Sequence, residues 1–181
     1  MPTVRPLLAA AFAIASFTSS ASAQFGGGGL QNFSGALSLN TPIGAFDDLA
    51  KPGFGFVFRT GIGDSEAKWS ARGNFAFDYF PGRTIYDNIQ FLGVGVDLVH
   101  RSRPSFYQFL GFGQYSTKYN LKTANSLTST RSSSDFGFTG GVGVNYSVGE
   151  KSKLFVEFAA TTVFTGSRNS NWFPVRAGLK F

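Results

Sequence analysis

The sequence predicts an all-β protein, an eight-stranded antiparallel up-and-down transmembrane β-barrel, and three observations predict it. The last ten residues alternate, with Phe173, Val175, Ala177, Leu179 and Phe181 on one face of an extended strand and Pro174, Arg176, Gly178 and Lys180 on the other. Seven earlier stretches alternate in the same way. Their polar face carries the charges a soluble barrel would show to water, so the apolar face is left to meet lipid. Beyond the leader, no stretch approaches the roughly 20 apolar residues that a spanning helix needs.

Each strand can be read in turn. The first runs from about Asn32 to Thr41, with Phe33, Gly35, Leu37 and Leu39 outward, and residues 42–53 form a Gly/Pro/Asp loop. The second sends Phe54, Phe56, Phe58 and Ile62 out, against Gly55, Val57, Arg59 and Gly61. After a short turn at 63–67, the third sets Trp69, Ala71, Gly73, Phe75, Phe77 and Tyr79 against Ser70, Arg72, Asn74, Ala76 and Asp78. A loop at 81–88 follows. The fourth has Leu92, Val94, Val96 and Leu98 outward, with Phe91, Gly93, Gly95 and Asp97 inward, and turns at 100–104.

The fifth strand, about Phe106 to Tyr119, has apolar residues on both faces. Tyr107, Phe109, Gly111, Gly113 and Tyr115 are assigned outward, because the opposite choice puts Gln108 and Gln114 into lipid. Residues 120–134 read as the longest loop. The sixth strand sends Phe136, Phe138, Val142, Val144 and Tyr146 out. A turn at 149–152 leads to the seventh, with Leu154, Val156, Phe158, Ala160 and Phe164 out and Glu157 in. Residues 165–171 then lead to the eighth. Long and short connections nearly alternate, which places the long ones outside and both termini in the periplasm.

Domain organisation follows. Residues 1–23 read as a cleaved signal peptide, with Arg5, an apolar run over 7–15 and the small-residue site Ala21-Ser22-Ala23. Residues 24–31 are a flexible, glycine-rich lead, and 32–181 form the barrel domain. The 22 Phe and 23 Gly are far above ordinary usage and suit lipid-facing bulk and crowded backbones. The net charge of +6 comes from scattered basic residues, which argues against a nucleic-acid surface. Cysteine is absent, which excludes a disulfide framework and thiol metal ligands.

Two residue sets stand out. Trp69, Tyr79, Tyr107, Tyr115, Tyr119, Tyr146 and Trp172 fall at strand ends and read as interfacial girdles. Arg59, Arg72, Asp97, Glu157 and Arg176 fall inside the barrel, as a structural ion-pair plug or as a gate. An eight-stranded lumen is just filled by side chains, and buried charge requires partners. Adjacent strands suggest Glu157 with Arg176 and Asp97 with Arg72.

The segments Gly44-Ala-Phe-Asp-Asp-Leu-Ala-Lys-Pro-Gly-Phe-Gly-Phe56, Gly140-Gly-Val-Gly-Val144 and Arg176-Ala-Gly-Leu-Lys-Phe181 resemble the small outer-membrane barrels of the OmpA-transmembrane-domain and OmpX kind. One departure is Arg176, where such barrels usually carry Gly. The resemblance implies a cell outer-membrane location, with membrane lipid and lipopolysaccharide as partners. It also implies that Leu179 and Phe181 form a C-terminal signal for the barrel-assembly machinery. Lys51, Arg83, Lys122, Arg131 and Arg168 are candidate contacts to lipopolysaccharide phosphates.

A monomer is expected, with no cofactor, no metal and no nucleic acid. His100 lies alone at a rim, and Asp47-Asp48 reads as a turn feature, so neither supports catalysis. Two functions stay open: a structural or surface-interaction barrel, and a narrow pore for ions or small solutes. A lipid-modifying enzyme is a distant third.

Overall fold

The computed structural model describes residues 33–62, 67–122, 130–149, 152–166 and 168–181. Residues 1–23, read above as a signal peptide, residues 24–31, read as a lead, and Asn32 lie outside the described residues. Eight antiparallel strands close into a barrel: β1 (Phe33–Ile43), β2 (Gly53–Ile62), β3 (Trp69–Pro81), β4 (Tyr86–Arg103), β5 (Phe106–Leu121), β6 (Thr130–Ser147), β7 (Lys153–Thr165) and β8 (Arg168–Lys180). Each pairs with its sequence neighbours, and β8 returns to β1 from Ser34↔Lys180 through Ile43↔Asn171. The Phe181 N–H donates to the Phe33 carbonyl at 2.9 Å, so both described ends meet at one rim, here the terminal rim. Closure leaves no strand edge within the apolar band, where an unpaired backbone group would face lipid.

The period-2 pattern sets the two surfaces. Leu39, Val94, Leu110, Phe112 and Phe158 are among the large apolar side chains left exposed, while Arg59, Asp78, Asp97, Glu157 and Arg176 are buried in the lumen. No helix among the described residues is long and apolar enough to cross a membrane. An exposed apolar belt around a charged, filled interior is the polarity of a membrane barrel.

Strand β5 corrects the sequence reading. Tyr107, Phe109 and Tyr115 point inward and are buried, whereas Gln108, Leu110, Phe112 and Gln114 point outward. The neighbouring glycines give the reason. A Cβ at Gly93 of β4 would lie 2.6 Å from Tyr115 Cε1, and one at Gly143 of β6 would lie 2.5 Å from Tyr107 Oη. Both rings lie flat over bare backbone. Gln114 satisfies itself by donating to Ser134 Oγ at 2.8 Å.

Several connections also differ from the reading, among them the 120–134 loop, which is shortened because β5 and β6 pair as far as Asn120↔Thr130. Strands β3 and β4 extend to the pair Pro81↔Asn88, and β7 and β8 to Thr165↔Arg168, so the connections read at 81–88 and 165–171 are shorter than expected. Thr84, at φ 49°, takes the left-handed region in the first of these. The connection at 44–52 folds inward instead of projecting. Gly44 (φ 59°) starts a single 3-10 turn that drops Phe46 into the barrel.

Candidate functional site

The lumen is filled in two layers. Nearer the terminal rim lies an ionic layer centred on Glu157, which is fully buried. Arg59 grips it with a fork, Nη1 donating to Oε1 at 2.9 Å and Nη2 to Oε2 at 2.7 Å, the geometry that makes Arg–carboxylate pairs strong. Tyr107 Oη donates to Oε1 at 2.8 Å. Arg72 Nη1 stands at 3.1 Å and Arg176 Nη1 at 3.6 Å. Asp97 accepts from Arg72 Nε at 2.8 Å and from Asn74 Nδ2 at 2.6 Å, with Arg59 Nε 3.8 Å away. The Arg72 guanidinium also lies over the Phe109 ring, 4.6 Å from its centroid.

The structure therefore gathers Arg59, Arg72, Asp97, Glu157 and Arg176 into one network. The adjacent-strand pair Arg72–Asp97 forms as expected at 2.8 Å, and Arg176 stands 3.6 Å from Glu157, but the fork to Glu157 comes from Arg59. In the ring, β2 and β7 are separated by β1 and β8, so only closure brings Arg59 and Glu157 together. Sequence reasoning missed Tyr107, which it faced outward, and Asp78, which it faced inward but left out of the charge set. Asp78 is buried, accepts from Asn40 Nδ2 at 2.6 Å, and shares the ladder row Asp78–Gly55–Ser38–Arg176. Its inward parity was the available signal.

Above the ionic layer lies an aromatic one. Phe46, Phe80, Phe91 and Trp172 pack with Tyr115, Ile89, Val163 and Ala50, and Phe91 and Trp172 approach to 4.8 Å between ring centroids. Trp172 is fully buried, which removes it from the interfacial girdle. Tyr107 and Tyr115 leave the girdle with the reversal of β5. Tyr119 turns partly inward against the aromatic cluster. Trp69 and Tyr146 stay exposed near the terminal rim, and Tyr79 stays on the outer face beside Phe54. The expectation failed at Tyr107, Tyr115, Tyr119 and Trp172 because parity decides a ring's face, while position in the chain shows only its height.

Cavities of about 50 Å³ and about 20 Å³ remain, both lined in part by Arg59, room for a few waters. His100 packs against Trp69 with ring centroids 4.4 Å apart and planes tilted by 38°, and Asp47 pairs with Arg83 at 3.1 Å. Lys122 Nζ donates to the Thr84 carbonyl. Among the described residues, no cluster of His, Asp or Glu could hold a metal ion. Leu179 on β8 and Phe181, one residue past its end, are both exposed.

An apolar belt around a charged, filled eight-stranded lumen defines a small β-barrel of the outer-membrane class. The chain is similar in structure to Ail, the attachment invasion locus protein of Yersinia pestis, with TM-score 0.64 and 14% identity over 83% of this chain and 97% of that one. A second structure of Ail, in complex with the heparin analogue sucrose octasulfate, gives TM-score 0.63 at 15% identity, covering the same shares of the two chains. Neisserial surface protein A matches with TM-score 0.54 and 13% identity, covering 82% of this chain and 94% of that one. The N-terminal barrel of Pseudomonas aeruginosa OprF matches with TM-score 0.54 and 8% identity, covering 82% and 97%. At these identities the likeness is one of fold. No family model and no curated protein matches the sequence.

Proposed function

We propose that this protein is a closed outer-membrane barrel that acts through its loop rim, in envelope structure or surface contact, and that it is not an enzyme. The filled lumen is the observation that supports this reading. An ionic layer and an aromatic layer are stacked across it, and the 44–52 segment contributes Phe46 and Ala50 to the second. Opening a path would break a buried, forked ion pair and lift packed rings, each unfavourable in a dry interior. Membrane lipid and lipopolysaccharide surround the belt, and the assembly machinery reads the exposed Leu179 and Phe181. The sulfated sugar held by Ail gives one example of ligand capture by this architecture.

Planar-bilayer recording of refolded protein tests the proposal. A silent bilayer is expected, and regular single-channel steps would overturn it. A narrow ion path is the second reading. Arg59 Nε and Arg72 Nη2, buried without hydrogen-bond partners, favour it as spare donors through which the carboxylates exchange. It predicts that Glu157→Gln raises conductance.

A further inference from the structure

The barrel wall is uneven at the loop rim. Strand β6 pairs with β7 only from Gly137 onward, so Thr130–Phe136 rise on β5 alone, while the β7–β8 ladder ends at Thr165↔Arg168. With Leu49 of the inward-folded 44–52 segment among its walls, this difference in height leaves a cavity of about 480 Å³. That volume lies within the range of about 300–1,000 Å³ usual for small-ligand sites. The aromatic layer beneath closes the way into the lumen.

We infer that this cavity binds an acidic saccharide. The inference rests on the surface-interaction reading and names its ligand class. Tyr86 and Tyr119 offer two ring faces, with centroids 5.6 Å apart, held firm by packing on the aromatic layer. Arg131 from β6 and Arg168 from β8 both line the cavity, and both are exposed. Guanidinium forks match carboxylate, sulfate or phosphate groups. Asp135 lines the same cavity, its Oδ2 accepting from Thr117 Oγ1 at 2.9 Å and Ser133 Oγ at 2.6 Å. A bare oxyanion would meet that carboxylate's charge and leave the rings unused. A sugar ring uses every part: its C–H face covers a tyrosine, its hydroxyls reach Asp135 and Asn169, and its acidic substituent reaches the arginines. The source is either the phosphorylated sugars of lipopolysaccharide in the same leaflet or a soluble acidic glycan.

Calorimetric titration of refolded protein in lipopolysaccharide-free detergent provides the test. The probes are a sulfated uronate–glucosamine disaccharide, neutral maltose and inorganic phosphate. Saturable binding is expected for the acidic disaccharide alone. Arg131→Gln with Arg168→Gln, and separately Tyr119→Leu, should each weaken it about tenfold or more. Arg103→Gln, a loss of charge at the terminal rim, should leave it unchanged, and heat-shifted gel migration confirms that each variant is folded. Displacement by lipopolysaccharide assigns the site to that lipid, persistence assigns it to a soluble glycan, and either upholds it. Phosphate binding as tightly as the disaccharide, or affinity unmoved by both variants, would overturn the site. If the bilayer is silent in that case, the closed barrel still stands. Channel steps with saccharide binding intact would overturn the closed lumen alone.

Discussion

Glu157 accepts hydrogen bonds from Arg59 and Tyr107 while Arg72 and Arg176 stand within ion-pair range, so one buried carboxylate answers three cations. Removing its charge leaves those arginines without their shared partner. Glu157→Gln should lower stability by about 3–5 kcal/mol, read from urea unfolding in detergent with Trp172 fluorescence as the probe. Adding Arg59→Met should recover more of that loss than adding Arg176→Met, because the forked contact is 2.7 Å and the other is 3.6 Å. Equal recovery would mean that Arg59 is not the principal partner. Tyr107→Phe removes one hydrogen bond to a charged group and should cost about 1.5–3 kcal/mol by the same measurement.

Strand β5 shows how an element's two faces are chosen by its neighbours. Its inward tyrosines need the bare backbone of Gly93 and Gly143, and Tyr107 in turn serves Glu157. Gly143→Ala should therefore displace Tyr107 and cost about 1–3 kcal/mol. Gly140→Ala, on the outer face with Leu110 Cδ1 at an ordinary 3.6 Å, should stay within about 0.5 kcal/mol. A second pair of changes measures the height of the belt. Phe112 lies outward between Val96 and Phe138, so Phe112→Arg should cost about 2–4 kcal/mol. Ser116, higher on the same outer face and opposite Ser134, should accept arginine for about 0–1 kcal/mol. Equal costs at the two positions would mean that the apolar band ends elsewhere.

At the scale of the whole molecule, closure joins β1 to β8 and gathers both described ends at one rim. The cysteine-free chain allows single-cysteine labelling with a membrane-impermeant reagent. Ser132→Cys, exposed on β6 near the loop rim, should label from outside intact cells, and Ser152→Cys should not. The reverse pattern would invert the orientation. Deleting Phe181 should reduce insertion and leave protein in the periplasm, because β8 and the exposed aromatic after it complete the closing seam. Normal membrane levels of that variant would remove the assembly role from this residue.

The alternation of Phe173, Val175, Ala177, Leu179 and Phe181, repeated in seven other segments, was enough to establish eight strands, their order and seven of their facings. That legibility is physical: a strand in lipid must be apolar on one side, and a period of two displays this in a single dimension. The inward parity of Arg59, Arg72, Asp97, Glu157 and Arg176 was legible for the same reason. Three things were not. The facing of β5 depended on glycines in β4 and β6, which its own residues do not record. The Arg59–Glu157 fork joins strands that meet only across the closed ring, and pair distances across a lumen are absent from any local pattern. The inward fold of 44–52, which turns Phe46 from a loop residue into part of the aromatic layer with Trp172, was decided by the packing of Phe80, Phe91 and Trp172. Local periodicity carries which side a residue faces, and only closure in three dimensions decides what it meets there.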